Sequence, residues 1–278
     1  MPAAAKLTKK PTRIYKGNFE ITRYLLRHVI LLSVKDTNPE KNPLDKKPLW
    51  SSECYILQNG NYAAVIDPGF TNLDEADSLL ELLDIKECDI FLTHGHFDHL
   101  YSAAKMLRQG NIHIHERDAG YIAGISLISG KNRELAHRLA VVKWEPRLKY
   151  DFVKTGEELE IFHTKTIALN NKEGSTPNMQ IPLSYWNDAG HTKGHTTYMF
   201  EGIAFAGDAV VCGESRWYID FMFGKGEGVY KRTRQQTRDD CRKALNTLVD
   251  NMHVEYAALA HGGIIPMDRF RQIVQEVN

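Results

Sequence analysis

Residues 93–107 read "THGHFDHLYSAAKML" and gather His94, His96, Asp98 and His99 within six positions. The preceding run "DIFLT" (89–93) is apolar enough to be a buried strand. After it, Leu100, Ala103, Ala104 and Leu107 recur at helical spacing, which predicts a helix. The four polar side chains therefore stand where a strand ends and a helix begins, the edge at which α/β folds place their chemistry. On extended chain, residues i and i+2 point the same way, so His94 and His96 can aim at one ion. Asp98 and His99 follow in the turn, where the direction changes and a neighbouring point can be addressed. Imidazole nitrogens and carboxylate oxygens at this spacing are ligands for zinc or a similar divalent metal.

Strands and helices alternate along the rest of the chain. "RHVILLSV" (27–34) reads as a strand, and "KDTNPEKNPLDKKPLW" (35–50), with three prolines, as a surface loop. "CYILQNGNYAAVIDPG" (54–69) reads as a hairpin turning at Asn59-Gly60-Asn61. Helical faces are marked by Ala76, Leu79, Leu80 and Leu83, by Leu135, Leu139 and Val142, and by Cys241, Ala244, Leu245 and Leu248. "IHIH" (112–115), "TTYMFEGIAFAG" (196–207) and "EYAALA" (255–260) are strand-like. The expected class is α/β, with helices flanking sheets. Residues 1–13 read as a disordered leader and 14–278 as one domain. Within it, 116–182 contains a lid or dimer insertion, including "YIAGISLISG" (121–130).

Composition narrows the function classes. The chain has 278 residues, of which 42% are hydrophobic, enough for a substantial core. Lys plus Arg and Asp plus Glu stand at 35 each, so no global field collects nucleic acid or an anionic membrane. Cys54, Cys88, Cys212 and Cys241 form no C-x-x-C pair, which suits a reducing compartment and argues against a disulfide framework or thiolate zinc site. "MPAAAKLTKKPTR" lacks the apolar segment of a signal peptide, and no run approaches the ~18 apolar residues of a membrane span. The expectation is a cytoplasmic protein acting on a small molecule.

One motif does not close a metal site, and three contexts offer partners. "NDAGHTKGHTTYMF" sets His191 in a Gly-bounded turn before a strand, "IAFAGDAV" ends a strand at Asp208, and "YAALAHGG" ends another at His261. Small neighbours at each let backbone approach a buried ion closely. With these residues in view, the sequence resembles the metallo-β-lactamase-fold hydrolases. The resemblance runs from about Cys54 onward and rests on "VIDPG", "THGHFDH", "AGHTKGHT", "AGDAV" and "LAHGG" in the family's order.

The resemblance implies an αββα sandwich with the metal site along one edge. It implies that His94, His96 and His191 hold one metal, that Asp98, His99 and His261 hold a second, and that Asp208 bridges both. Asp67 and His195 would stand behind the ligands and orient them. The cofactors would be two divalent ions, zinc first, with iron and manganese as alternatives. A hydroxide bridging them would attack a carboxylic thioester, ester or lactone, with Asp98 handling a proton. The alternatives are phosphodiester cleavage of RNA or a cyclic nucleotide and mono-iron persulfide oxidation.

Departures from the family sharpen the expectation. The best-known zinc β-lactamases carry cysteine where Asp208 stands, and the di-iron flavoproteins carry glutamate where His96 stands, so both activities are disfavoured. "VVCGESRWYIDF" places Arg216 and Tyr218 as candidate substrate contacts, resembling the glyoxalase II segment at a different spacing. Glyoxalase II's helical substrate domain is not expected, because 17 residues follow His261. The tyrosine that lactonases carry three residues after the bridging aspartate is Val211 here. His113 and His115 are expected to be structural, Cys212 to pack rather than ligate, and "GKGEG" (224–228) to be a loop, since it lacks phosphate-loop spacing. A homodimer is left open.

Overall fold

A computed structural model describes residue 7 and residues 12–39, 51–115, 117–118, 158–161, 164–169, 173–176, 179–188, 190–192, 194–213, 216–218, 234–251 and 253–277. Its first elements are β1 (Thr12–Lys16), β2 (Phe19–Leu25), β3 (Ile30–Asp36), β4 (Cys54–Asn59), β5 (Tyr62–Ile66), α1 (Leu73–Leu82), β6 (Glu87–Phe91), α2 (Phe97–Leu100), α3 (Ala103–Met106) and β7 (Ile112–His115). Then come β8 (Glu158–Ile161), β9 (Thr164–Leu169), β10 (Glu173–Ser175), β11 (Ser184–Asn187), β12 (Thr196–Phe200), β13 (Ile203–Gly207), β14 (Val211–Gly213) and β15 (Arg216–Tyr218). The last are α4 (Arg234–Asn251), β16 (Tyr256–Leu259), β17 (Gly263–Pro266) and α5 (Met267–Val277).

Nine strands form one sheet in the order β1-β2-β3-β4-β5-β6-β7-β9-β8, and six form a second in the order β10-β11-β12-β13-β16-β17. β14 and β15 make a separate hairpin. The first sheet is antiparallel through β5, and β5, β6, β7 and β9 run parallel.

Period-two alternation sorts the side chains into three cores. Cys54, Ile56, Ala63, Val65 and Ile90 face α1 and α3, where they meet Ala76, Leu79, Leu80 and Met106. Their neighbours Tyr55, Leu57, Tyr62, Ala64, Ile66 and Phe91 point the other way, onto Tyr185, Tyr198, Ile203, Phe205 and Ala258 of the second sheet. Ala204, Ala206, Ala257 and Leu259, on that sheet's far face, pack on Cys241, Leu245 and Leu248 of α4 and on Met267, Phe270, Ile273 and Val274 of α5. Four layers result, helix–sheet–sheet–helix, the expected αββα sandwich. Full burial of each large apolar side chain contributes about 1.5–3 kcal/mol.

Two buried phenols cross between the sheets and end beside the loops that matter. Tyr198 donates its hydroxyl to the Leu92 carbonyl at 3.0 Å, and Tyr55 donates to the Leu259 carbonyl at 2.7 Å. Each fixes a strand end two residues before a histidine of the sequence motifs (His94 and His261).

Several expectations are corrected. The strand read over 27–34 begins at Ile30, because Arg27 and His28 form the turn from β2, closed by Leu26 N–H donating to the Val29 carbonyl at 3.0 Å. The single helix expected after the histidine motif is two short turns, α2 and α3. Ser102 breaks it by donating both its N–H and its hydroxyl to the Pro68 carbonyl, at 2.9 and 2.7 Å. β1 starts at Thr12, inside the stretch read as a leader; its side chains are all exposed, so no apolar pattern announced it. The segment 116–182 also carries β8, β9 and β10, which are strands of the two sheets. The helix expected through Leu135 to Val142, "YIAGISLISG" and "GKGEG" lie outside the described residues. The hairpin of β4 and β5 forms as expected, with Asn59 opposite Tyr62. All four cysteines are free thiols. Among the described residues, no helix is long and apolar enough to cross a membrane.

Candidate metal centre

Four loops at one edge of the sandwich deliver the candidate residues. The chain leaving β6 brings His94, His96, Asp98 and His99; the turn before β12 brings His191; the chain leaving β13 brings Asp208 and that leaving β16 brings His261. The loop after β6 is seated by Asp67, whose carboxylate accepts from Thr93 N–H at 2.8 Å and from the Thr93 hydroxyl at 2.6 Å. Asp208 leaves the sheet through a register shift against β16 at Gly207. Gly207 has φ +45°, and a Cβ there would lie 2.4 Å from Thr93 Oγ1, so only glycine fits this corner.

His94 Nε2 and His191 Nε2 approach His96 Nδ1 at 2.8 and 2.9 Å, and Asp208 Oδ2 lies 3.9 and 3.6 Å from the first two nitrogens. Beside this group stands a second. His261 Nε2 lies 3.1 Å from Asp98 Oδ2 and 3.7 Å from Asp208 Oδ1, while His99 Nε2 lies 3.4 Å from Asp208 Oδ2. Within each group of four the ligand atoms all fall within 4.8 Å of one another, and Asp208 belongs to both. The seven residues named from the sequence motifs are thus brought together.

The donor sets fit metal ions. Three imidazole nitrogens turned on one another share too few protons to satisfy them all, whereas one cation would take a lone pair from each. Asp208 Oδ1 is buried with no hydrogen-bond partner among the described residues, an expensive arrangement unless a cation faces it. The electrostatics of the two groups differ. Burial, reinforced by the neighbouring imidazoles, pushes His94 well below the ordinary histidine range, and burial followed by His191 does the same to His96. For His99, burial opposes the charge, but Asp208, Asp67 and Asp98 outweigh it and hold its pKa well up. His261 is raised similarly, burial being outweighed by Asp208 and Asp98. Burial likewise works against ionisation of Asp208, yet His99 and His261 hold its carboxyl well below the usual range. Burial thus dominates at His94 and His96, and the neighbouring carboxylates dominate at His99 and His261.

Behind the ligand atoms, a further layer of contacts fixes the rings. His99 Nδ1 faces Asp67 Oδ2 at 2.9 Å, and His94 Nδ1 faces Thr93 Oγ1 at 3.0 Å. His195 belongs to neither group. Its Nε2 accepts from Asp208 N–H at 3.2 Å while Nδ1 faces Asp188 Oδ1 at 2.8 Å, so the proton sits on Nδ1 and the ring braces the Asp208 backbone. Asp188 and Thr93 were not singled out from sequence. Asp188 sits three residues before His191 in "NDAGH", a visible but unspecific signal.

Arg216 and Tyr218 lie on β15 and belong to neither group, and Arg216 is exposed. Their hairpin is tied to the site through backbone, with Cys212 N–H donating to the His261 carbonyl at 2.7 Å. Trp217 lies against Gly262, its ring 2.7 Å from where a Cβ would stand. His113 stacks on Phe91 at 4.5 Å and faces Asp89 at 3.3 Å, and His115 Nδ1 accepts from Arg117 N–H at 3.2 Å; both lie outside the two groups.

Solved structures similar to this one include TMB-1 (14% identity, 94% of this chain and 99% of that chain, TM-score 0.55). An archaeal metallo-beta-lactamase superfamily protein from Sulfolobus tokodaii also matches (12% identity, 88% and 85%, TM-score 0.50). So does the peroxy diiron species of the chemotaxis sensor ODP (11% identity, 96% and 94%, TM-score 0.52). At these identities the likeness shows the fold. No curated protein sequence matches the chain. The family model of the metallo-beta-lactamase superfamily matches residues 48–251, which span most of both sheets and six of the seven clustered residues, and the chain belongs to that superfamily.

Proposed function

We propose that the protein is a dinuclear metal-dependent hydrolase acting on a carboxylic thioester, ester or lactone. The observation that carries this reading is the position of Asp208, whose two oxygens are shared between a three-histidine group and a mixed His/Asp group. His94, His96 and His191 would hold one ion, Asp98, His99 and His261 the other, and Asp208 both. Two divalent ions, zinc in this reading, would supply a water acidified toward a pKa of about 7 and polarise the electrophile's oxygen. The remaining chemistry belongs to side chains of the chain. Asp98 engages His261 through Oδ2 and is the residue assigned to receive the water's proton. Asp67 holds the His99 proton on Nδ1, which leaves Nε2 a lone pair. His195 holds the Asp208 backbone.

An acyl substrate is supported by the β14–β15 hairpin, where Cys212 binds the His261 carbonyl, the partly buried Trp217 lies against Gly262, and the exposed Arg216 is the next residue along the strand. Zero net charge gives a phosphate backbone little to bind. The test is a parallel screen of nitrophenyl esters, glutathione thioesters, lactones and bis-nitrophenyl phosphate, with metal content measured on the same sample. Turnover of an acyl substrate, lost with chelator and restored by zinc, is expected. Turnover of the phosphodiester alone would replace this reading with the nuclease-type one, and one iron per chain without zinc would replace it with the oxygenase-type one.

A further inference from the structure

Asp118 is buried, 1% exposed, and lies outside both groups of candidate ligands. β7 runs parallel to β6, so the C-terminal ends of the two strands lie side by side. A turn closed by Asp118 N–H donating to the His115 carbonyl at 2.9 Å then brings the Asp118 carboxylate under the loop that leaves β6. There Oδ2 accepts from Gly95 N–H at 3.2 Å and from the Thr192 hydroxyl at 2.5 Å, and Oδ1 accepts from Gly194 N–H at 2.9 Å.

The donors are informative. Gly95 separates His94 from His96, Thr192 follows His191, and Gly194 closes the same turn. One carboxylate thus spans both chain segments that supply the three-histidine group, although those segments are about a hundred residues apart. A Cβ at position 194 would fall 2.5 Å from Asp118 Oδ1, so the glycine is what admits the carboxylate. The other group has its own anchors. Ser52 N–H donates to the Asp98 carbonyl at 3.0 Å, Asp67 holds His99, and Cys212 N–H donates to the His261 carbonyl.

We infer that Asp118 is a positioning residue that clamps the His94–His96 loop to the His191 turn and sets the metal affinity of the three-histidine subsite alone. The inference rests on the two-metal reading above. It requires acceptors on both carboxylate oxygens: two of the three donors are backbone N–H groups that cannot turn away, so an amide at this position would set N–H against N–H. Loss of a contact that orients a ligand typically lowers metal affinity about 10–100-fold.

The experiment is a competition titration of zinc against a chromophoric chelator, run on the wild type and on Asp118→Asn in His191→Ala and His261→Ala backgrounds. The His191→Ala background retains the mixed subsite and the His261→Ala background the three-histidine one. Asp118→Asn is expected to weaken the remaining zinc about 10–100-fold in the His261→Ala background and to leave it unchanged in the His191→Ala background. Thr192→Val, which removes one donor and leaves the carboxylate in place, is expected to act in the same direction with a smaller loss. That variant serves if Asp118→Asn does not fold. Equal weakening in both backgrounds would mark a general structural residue and overturn the proposal, as would no change in either. A wild type that binds fewer than two zinc ions would overturn the two-metal reading and this inference with it; two ions with the wrong background dependence would overturn this inference alone.

Discussion

His99 Nδ1 lies 2.9 Å from Oδ2 of Asp67, a residue held at φ +50° between β5 and the Pro68-Gly69 turn. Asparagine tolerates that backbone conformation, so Asp67→Asn alters the carboxylate's hydrogen bonds to His99 and Thr93 without straining the chain. An amide facing His99 Nδ1 would donate where the carboxylate accepts, moving the ring proton to Nε2 and blocking the lone pair meant for the metal. The expected result is a 10–100-fold (approximate) weaker second metal with a smaller effect on the first. Chelator competition checks it, and unchanged affinity for both metals would dissociate Asp67 from the site.

Far from that edge, a buried acid reports on stability. Burial alone would raise the Asp89 carboxyl, but His113, Asn111 and Tyr62 overturn that and lower it below the ordinary carboxylate value. A depressed folded-state pKa contributes stability above the unfolded value of about 3.9, and this is lost as pH falls through the folded value. Asp89→Asn should therefore cost about 1–3 kcal/mol near pH 7 and progressively less below pH 4. Urea unfolding at a series of pH values measures the gap; a gap that widens toward acid would contradict this account.

The β14–β15 hairpin gives the substrate prediction. Arg216 is exposed on the hairpin whose Cys212 binds the His261 carbonyl, and a guanidinium–carboxylate contact made equally in ground and transition states moves KM and not kcat. Arg216→Ala should raise KM several-fold for an anionic thioester or lactone and leave a small neutral ester unaffected. Identical kinetics for both substrates in variant and wild type would remove Arg216 from the site.

Much of this architecture is legible in the residues, for identifiable reasons. The runs around Cys54–Ile66, Ile203–Gly207 and Tyr256–Leu259 alternate between two cores, and α4 repeats Cys241, Leu245 and Leu248 on one face, so pattern reveals them. The clustering of seven side chains followed from short motifs at strand ends. β1 was hidden because all five of its side chains are exposed. The break between α2 and α3 was hidden because it depends on Pro68, distant in sequence. Asp118 and Asp188 escaped notice because an isolated aspartate carries no periodicity; its partners are backbone N–H groups or a ring brought near only by folding. α5, not among the helices expected from the sequence, carries Met267, Phe270, Ile273 and Val274 as its buried residues.

The central claim is that one carboxylate serves two metal ions, and metal content of the wild type and of Asp208→Ala, each purified without added metal, tests it most directly. The account predicts two divalent ions per wild-type chain and fewer than one in the variant, with far-ultraviolet circular dichroism unchanged, because the three apolar cores do not include Asp208. Two ions retained in Asp208→Ala, or a single iron in the wild type, would contradict it.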